Sequence, residues 1–425
     1  MRSTRNTAAK NKKLILIPLF VLLLVAAIGL CLSFMTDRAQ TVLQSVTEPE
    51  PLQLTEQQPV RNESEQEQQP ESEPEPVVRT VKYSAAGDNL IHGMLYMQAQ
   101  SRASGTDKEY DFTSLYEKFA PFLADYDVNF INQETLVTDE IAPATYPCFA
   151  TPGEVGREIY RLGWRVFGTS NNHIYDQGAL GITSTLRFWD GMPDDLVTVG
   201  LYRDETDEMT LRIGQANGIT FAYLAYTQYT NGIPTPTDAE AHIIYTSQTE
   251  LIEQQITAAK QQADVVVVSV HWGVEDSHEV TEEQRQLAAS MAGWGADIII
   301  GTHPHVIQTI EMLENEDGRK TLCAYSLGNF VSAQSRPDEL IGIVLSFDVQ
   351  MDEADQLEIS HVQAHPTVTH YGSGYSNVQV LCYKDYTAEL AQTHGVRNEY
   401  PVFSYDYVRS VIEKYIPAEY ISWEN

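Results

Sequence analysis

Apolar positions fall into three regimes along the chain. From Leu14 to Met35 they are almost continuous, from 36 to 79 almost absent, and from about residue 80 they come in short runs separated by stretches of helical spacing. The short runs predict strands at Val81–Ala86, Val128–Gln133, Arg165–Thr169, Thr220–Tyr226, Asp264–Val270, Asp297–Gly301, Lys320–Ser326 and Ile341–Val349. VVVVSV at 265–270 is apolar at both parities, which suits a strand covered on both faces. Between the strands the spacing predicts helices near Phe112–Leu123, Gly153–Leu162, Ala179–Trp189, Gln248–Ala263 and Glu282–Trp294. Ser247 with Glu250, and Thr281 with Gln284, have the spacing of capping boxes. Strand–helix alternation argues for an α/β fold, and residues 320–365 read as more purely β. The expectation is two sheets packed together with helices outside, over 80–365. A C-terminal extension, 366–425, has helical character at Tyr386–Gln392 and Tyr405–Tyr415 and is expected to pack on that domain.

The 22 residues of Leu14–Met35 carry no charge, and a helix of that length crosses about 30 Å of hydrocarbon. Arg2, Arg5, Lys10, Lys12 and Lys13 precede it, so the stub 1–13 is expected to stay cytoplasmic and the rest to lie outside the cell membrane, on a single-pass signal anchor. A cleaved signal peptide is the alternative, but the run exceeds a usual h-region and no A-x-A site follows. A lipidated Cys31 is weaker still, because bulky Leu30 precedes it. Residues 36–79, rich in Glu, Gln, Ser and Pro, bury too little to offset chain entropy and read as a disordered acidic spacer.

Charge sharpens this division. The chain carries −32 overall, but residues 1–13 carry +5 and 37–79 carry −7, which leaves −30 on 80–425. So acidic a body lacks the basic face that nucleic acid demands, and no nucleic-acid partner is expected. With 43% hydrophobic and 10% aromatic residues it is not a disordered acidic chain either. Cys148, Cys323 and Cys382 are an odd number outside the apolar run, so at least one is unpaired, and a bridge between two of them is open.

The candidate chemistry gathers just after predicted strands. Asp88 follows the first; Asn132 and Glu134 the second; Asn171, Asn172 and His173 the third; His271 and Trp272 follow VVVVSV; His303 and His305 follow DIIIGT. Taken singly, Asp88 reads equally as a turn residue, Glu134 as a helix N-terminal acid, and His271 as a buried core histidine. His303-Pro304-His305 is more specific, since the proline stiffens the link between two imidazoles. Open α/β sheets form sites outside the carboxyl ends of their strands, so these segments converge on one rim. A mixed nitrogen and oxygen donor set suits Zn, Mn or Fe rather than Ca.

These segments also carry a family resemblance. GDN at 87–89, NFINQET at 129–135, SNNHIYDQG at 170–178, VSVHWG at 268–273, GTHPH at 301–305 and YSLGNF at 325–330 resemble the CapA family of bacterial poly-γ-glutamate capsule synthesis proteins. That family is in turn similar to calcineurin-like metallophosphoesterases, which implies a two-sheet αββα sandwich and one or two divalent transition-metal ions. The resemblance implies Asp88, Glu134, Asn172, His271, His303 and His305 as metal ligands, with Glu134 where a bridging Asp would stand. It implies His173 as the histidine acting on the transition state, and Asp176 is placed to orient it. One departure stands out: phosphoesterases of this fold carry Asp-x-His in the first motif, whereas Leu90 fills the third position here, leaving Asn89 or His92 as substitutes. The implied functions are hydrolysis or transfer of a γ-glutamyl or phosphoester bond on an envelope polymer, a non-catalytic scaffold subunit of a poly-γ-glutamate synthase, or a generic envelope metallophosphoesterase. The implied partners are poly-γ-glutamate or another anionic envelope polymer, together with membrane synthase or export subunits. Since a body at −30 repels a polyanion, contact must be local, through the metal and through cations such as Arg157, Arg161 or Arg165.

Overall fold

Strands account for most of the buried apolar runs. The structure is a computed structural model, and it describes residues 78–315 and 317–424. In chain order the strands are β1 (Arg79–Asn89), β2 (Val128–Asn132), β3 (Val137–Thr138), β4 (Thr151–Pro152), β5 (Val166–Gly168), β6 (Val197–Val199), β7 (Arg212–Ala216), β8 (Ile219–Thr227), β9 (Val265–His271), β10 (Ile298–Thr302), β11 (Ile310–Glu314), β12 (Lys320–Ala324), β13 (Asn329–Val331), β14 (Ile341–Met351), β15 (Leu357–His370) and β16 (Gln379–Cys382). An eight-stranded sheet has the order β16-β15-β14-β1-β2-β5-β6, with β13 paired to the end of β1, and a six-stranded sheet has the order β11-β12-β10-β9-β8-β7. β3 and β4 form a small separate pair. This is a mixed α/β fold.

The two larger sheets share a core. Val81, Tyr83 and Ala85 of β1 cluster with Phe221, Tyr223 and Ala225 of β8 and with Val265 and Val267 of β9; the rings of Tyr83 and Phe221 lie 5.9 Å apart. The intervening residues, Ala222, Leu224, Val266, Val268 and Val270, turn the other way. They meet Ile252, Ile256 and Ala259 of helix Thr249–Lys260 and Ala288 and Met291 of helix Glu282–Trp294. Side chains alternate faces along a strand, so the unbroken valine run fills both layers at once. Each valine so buried contributes about 1.5–3 kcal/mol relative to exposure. Against the eight-stranded sheet lie helices Glu154–Leu162 and Gly178–Asp190, with Trp189 4.7 Å from the ring of Phe167.

Several expectations need adjustment. The helix expected over Phe112–Leu123 is two short pieces, Thr113–Tyr116 and Ala120–Leu123. Pro121 stands in the first turn of the second piece, where proline starts a helix more readily than it continues one. Ser247 caps nothing: the helix begins at Thr249, and Gln248 at its N-cap accepts from Tyr245 N instead. Thr281 and Gln284 do form their reciprocal box. β15 runs through residue 365 to His370, and β16 then adds the edge strand, so residues 366–370 and 379–382 belong to the sheet itself. Cys148, Cys323 and Cys382 are all free. Leu14–Met35 and the acidic spacer up to residue 77 lie outside the described residues; among the described residues no helix is long and apolar enough to cross a membrane.

Candidate metal centre

The site lies where the carboxyl ends of β1, β2, β5, β9 and β10 meet. Gly87 makes the first approach possible: a Cβ there would stand 1.9 Å from Gly328 O. The pairing of β1 shifts register at Asp88, so the strand bulges and Asp88 turns inward. Its Oδ1 accepts from Asn132 Nδ2 at 2.7 Å and its Oδ2 from His303 N at 3.2 Å. His303 and His305 both have left-handed backbones, φ 99° and 61°, which costs on the order of 1–3 kcal/mol apiece. With Pro304 between them, that strain aims both imidazoles into one pocket.

Six of the expected side chains come together. His271 Nε2 is 2.9 Å from Asn172 Oδ1, 3.1 Å from His303 Nδ1 and 3.7 Å from Glu134 Oε1. His305 places Nδ1 3.3 Å from Asp88 Oδ2 and Nε2 3.6 Å from Glu134 Oε1. Glu134 is therefore common to two groups of donors, one with His271 and His303 and one with Asp88 and His305. Neighbouring ligands on one ion with bonds of about 2.1 Å stand roughly 3.0–3.4 Å apart, close to these separations.

The polar accounting points the same way. Glu134 is fully buried, yet neither of its carboxylate oxygens has a hydrogen-bond partner. His271 Nε2 carries at most one proton but has two close neighbours, so hydrogen bonding alone leaves one contact unmet. These residues fit a divalent cation. The far side of the His271 ring is held as a ligand histidine requires, with Nδ1 3.0 Å from Thr302 Oγ1; Asn329 Oδ1 stands 3.1 Å from His305 Nδ1.

Burial drives the electrostatics. Burial holds the Glu134 carboxyl well above its usual range, opposed by His305 and reinforced by Asp88. Burial and the neighbouring imidazoles push His271 and His303 well down. Burial also pushes His305 down, but Glu134 and Asp88 outweigh it and raise His305 to about 10.

His173 faces the same space from β5's end. Its Nδ1 donates to Asp176 Oδ2 at 2.8 Å, which leaves Nε2 4.0 Å from Glu134 Oε1. Asp176 is itself fixed by Phe149 N at 2.7 Å. The ring of Phe149 stands edge-on to His173, 4.7 Å away.

Neither substitute for the absent first-motif histidine is in place. Asn89 donates to Gln133 Oε1 and accepts from Tyr116 OH. His92 accepts at Nδ1 from Ala333 N, and burial lowers it to about 4. The three arginines singled out in the sequence are engaged elsewhere, Arg157 with Asp139, Arg161 with Glu158 and Arg165 with Asp195. Sequence reasoning missed Tyr229, whose hydroxyl bonds His303 Nε2, and Asn231, which accepts from Asn172. Both follow the carboxyl end of β8, so the strand-end rule applied to that strand would have found them. It also missed Glu275, which groups with His303 and His305.

The PGA biosynthesis protein CapA of Bacillus subtilis (strain 168) is 30% identical over 204 residues, 48% of this chain and 52% of that protein. The capsule biosynthesis protein CapA of Bacillus anthracis is 31% identical over 186 residues, 43% of each. The chain thus spans about half the length of these curated relatives or less. Among solved structures, a Staphylococcus aureus protein described as a 5′-nucleotidase, in complex with α-ketoglutarate, has a TM-score of 0.41 at 15% identity, covering 67% of this chain and 54% of that one. Haemophilus influenzae NAD nucleotidase (NadN) has a TM-score of 0.41 at 11% identity, covering 80% of this chain and 60% of its own. The family described as Bacterial capsule synthesis protein PGA_cap matches residues 82–334. That match takes in more than half of the chain and every residue of the cluster, and the chain belongs to this family.

Proposed function

We propose that this chain serves the synthesis or export of poly-γ-glutamate outside the cell membrane, and that its strand-end cluster holds one or two divalent transition-metal ions, Mn, Zn or Fe. One observation carries the metal reading: a fully buried glutamate with neither oxygen hydrogen-bonded, shared by groups that hold three imidazoles and a second carboxylate. Family membership and the names of the relatives support the polymer. The two packed sheets with helices outside are read as the αββα layering of calcineurin-like metallophosphoesterases. The anchor is Leu14–Met35, with the basic stub inside the cell, and the membrane subunits that polymerise and export the chain are its partners.

A cation bound in the cluster would polarise an amide, carboxylate or phosphoryl oxygen and lower the pKa of a bound water. The chain's own residues do the rest. Asp88, Glu134, Asn172, His271, His303 and His305 supply the donors. His173 keeps its Nδ1 proton on Asp176 and turns Nε2 to the site, where it can hand a proton to a leaving group or steady developing charge. Arg157, Arg161 and Arg165 are paired with carboxylates, so a polyanion would meet this acidic body chiefly at the metal.

Leu90 favours a second reading. It is buried where the enzymes carry a ligand histidine, which suits a non-catalytic scaffold subunit that binds carboxylates without turning them over. A generic envelope phosphoesterase is the third. Metal content of the purified chain, with turnover on γ-glutamyl polymer and on phosphodiesters, separates them. Metal plus cleavage of the polymer supports the first reading, metal without turnover the second, and phosphodiester cleavage alone the third. If His303→Ala abolished capsule in cells while the purified wild-type chain bound no metal, the metal-dependent reading would fail.

A further inference from the structure

We propose that Glu275 supplies the ligand that Leu90 withholds, closing the metal cluster from the solvent side. The proposal rests on the metal reading above. A carboxylate oxygen of Glu275 lies within 4.8 Å of ligand nitrogens of both His303 and His305, one from each of the two donor groups that share Glu134. Glu134 fills the buried side of these groups, and exposed Glu275 stands at the mouth.

The segment that carries Glu275 is braced. β9 ends at His271, and the chain turns at Gly273, φ 91°, where a Cβ would meet the side chain of Gln284 at 2.9 Å. Asp276 N then donates to Pro304 O at 2.9 Å, fastening the segment to the loop that presents His303 and His305. Ser277 N closes a tight turn onto Val274 O at 3.2 Å, and Arg336 pairs with Asp276 rather than with Glu275. Glu275 is thus held over the two histidines, while its carboxylate makes no hydrogen bond or salt bridge among the described residues.

The alternatives for the vacant ligand are otherwise committed. Leu90 is 2% exposed, with its N bonded to Val331 O. Asn89 is bonded at both ends of its amide, and His92 Nδ1 accepts a hydrogen bond from Ala333 N. Charge agrees: Asp88 and Glu134 leave two divalent ions at +2, and a third carboxylate brings them to +1.

The test is metal stoichiometry and Mn(II) electron paramagnetic resonance on the full chain. Wild type is expected to hold two ions with the spin coupling of a close pair. Glu275→Gln, a change at an exposed position, is expected to hold one ion tightly, to weaken the second by about tenfold or more, and to lose the coupling. The double variant Leu90→His with Glu275→Gln is expected to regain the second ion. Two ions of wild-type affinity in Glu275→Gln, or a single ion in wild type unchanged by the substitution, overturns the role of Glu275 while leaving the metal reading intact. A wild-type chain that binds no ion overturns both.

Discussion

Glu134 should cost the metal-free protein stability. Its carboxylate is fully buried and accepts no hydrogen bond, and burial outweighs the pull of His305 on it. Leaving a buried acceptor unsatisfied costs about 1–3 kcal/mol. Glu134→Met keeps the volume and removes the polar atoms. It also removes part of the attraction that raises His305, but Asp88 Oδ2, 3.3 Å away, still holds that ring. The compact unit Pro74–Asn425 has an unfolding entropy of about 0.7 kcal/mol/K, so 1 kcal/mol moves its Tm by about 1.4 °C. In chelator the variant should therefore unfold about 1.5–4 °C above wild type. With metal at a hundredfold excess over Kd, wild type gains about 2.7 kcal/mol, or roughly 4 °C, and the variant gains nothing. Thermal unfolding of the full chain, with chelator and then with Mn(II), reads both shifts. A variant that unfolds below wild type in chelator, or gains as much as wild type from Mn(II), would refute the reasoning.

Two further outcomes are expected. Asp176→Asn should leave the metal content unchanged and lower turnover, on whichever substrate the wild type cleaves, by roughly a hundredfold; unchanged turnover would remove His173 from proton transfer. His370 and His394 are both held down to about 4 by burial. The folded protein therefore keeps them neutral while the unfolded chain takes up protons below about 6.5. Their stability is fully present above that pH and lost as it falls toward 4, at most about 3 kcal/mol per ring. Tm followed from pH 7 to pH 4 should fall, and His370→Phe should flatten the slope; an unaltered slope counts against it.

The sequence was most legible where one physical signal dominated. Strands with continuous β-branched runs, such as β9 and β10, lie within a residue or two of their expected bounds, because burial on both faces leaves no other reading. Helix Glu282–Trp294 announces itself through its capping box. Short strands such as β6 and β13, three residues each, carry too little pattern to be seen. Helix Gly93–Ala103 was missed because its mixed composition marks no clean apolar stripe. The cluster itself was legible because five strand ends deliver chemically distinctive residues to one rim. Its closure was not. The left-handed backbones of His303 and His305, the hydroxyl of Tyr229 on His303 and the reach of Glu275 are products of loop geometry, which leaves no period in the sequence.

The donors are drawn from both sheets: Asp88, Glu134 and Asn172 lie near the end of or follow strands of the eight-stranded sheet, while His271, His303 and His305 end or follow strands of the other. An ion seated between them would act as a rivet through the sandwich, fixing how far one layer can slide over the other. Chelation should then speed amide hydrogen exchange along the carboxyl ends of both sheets rather than at the site alone.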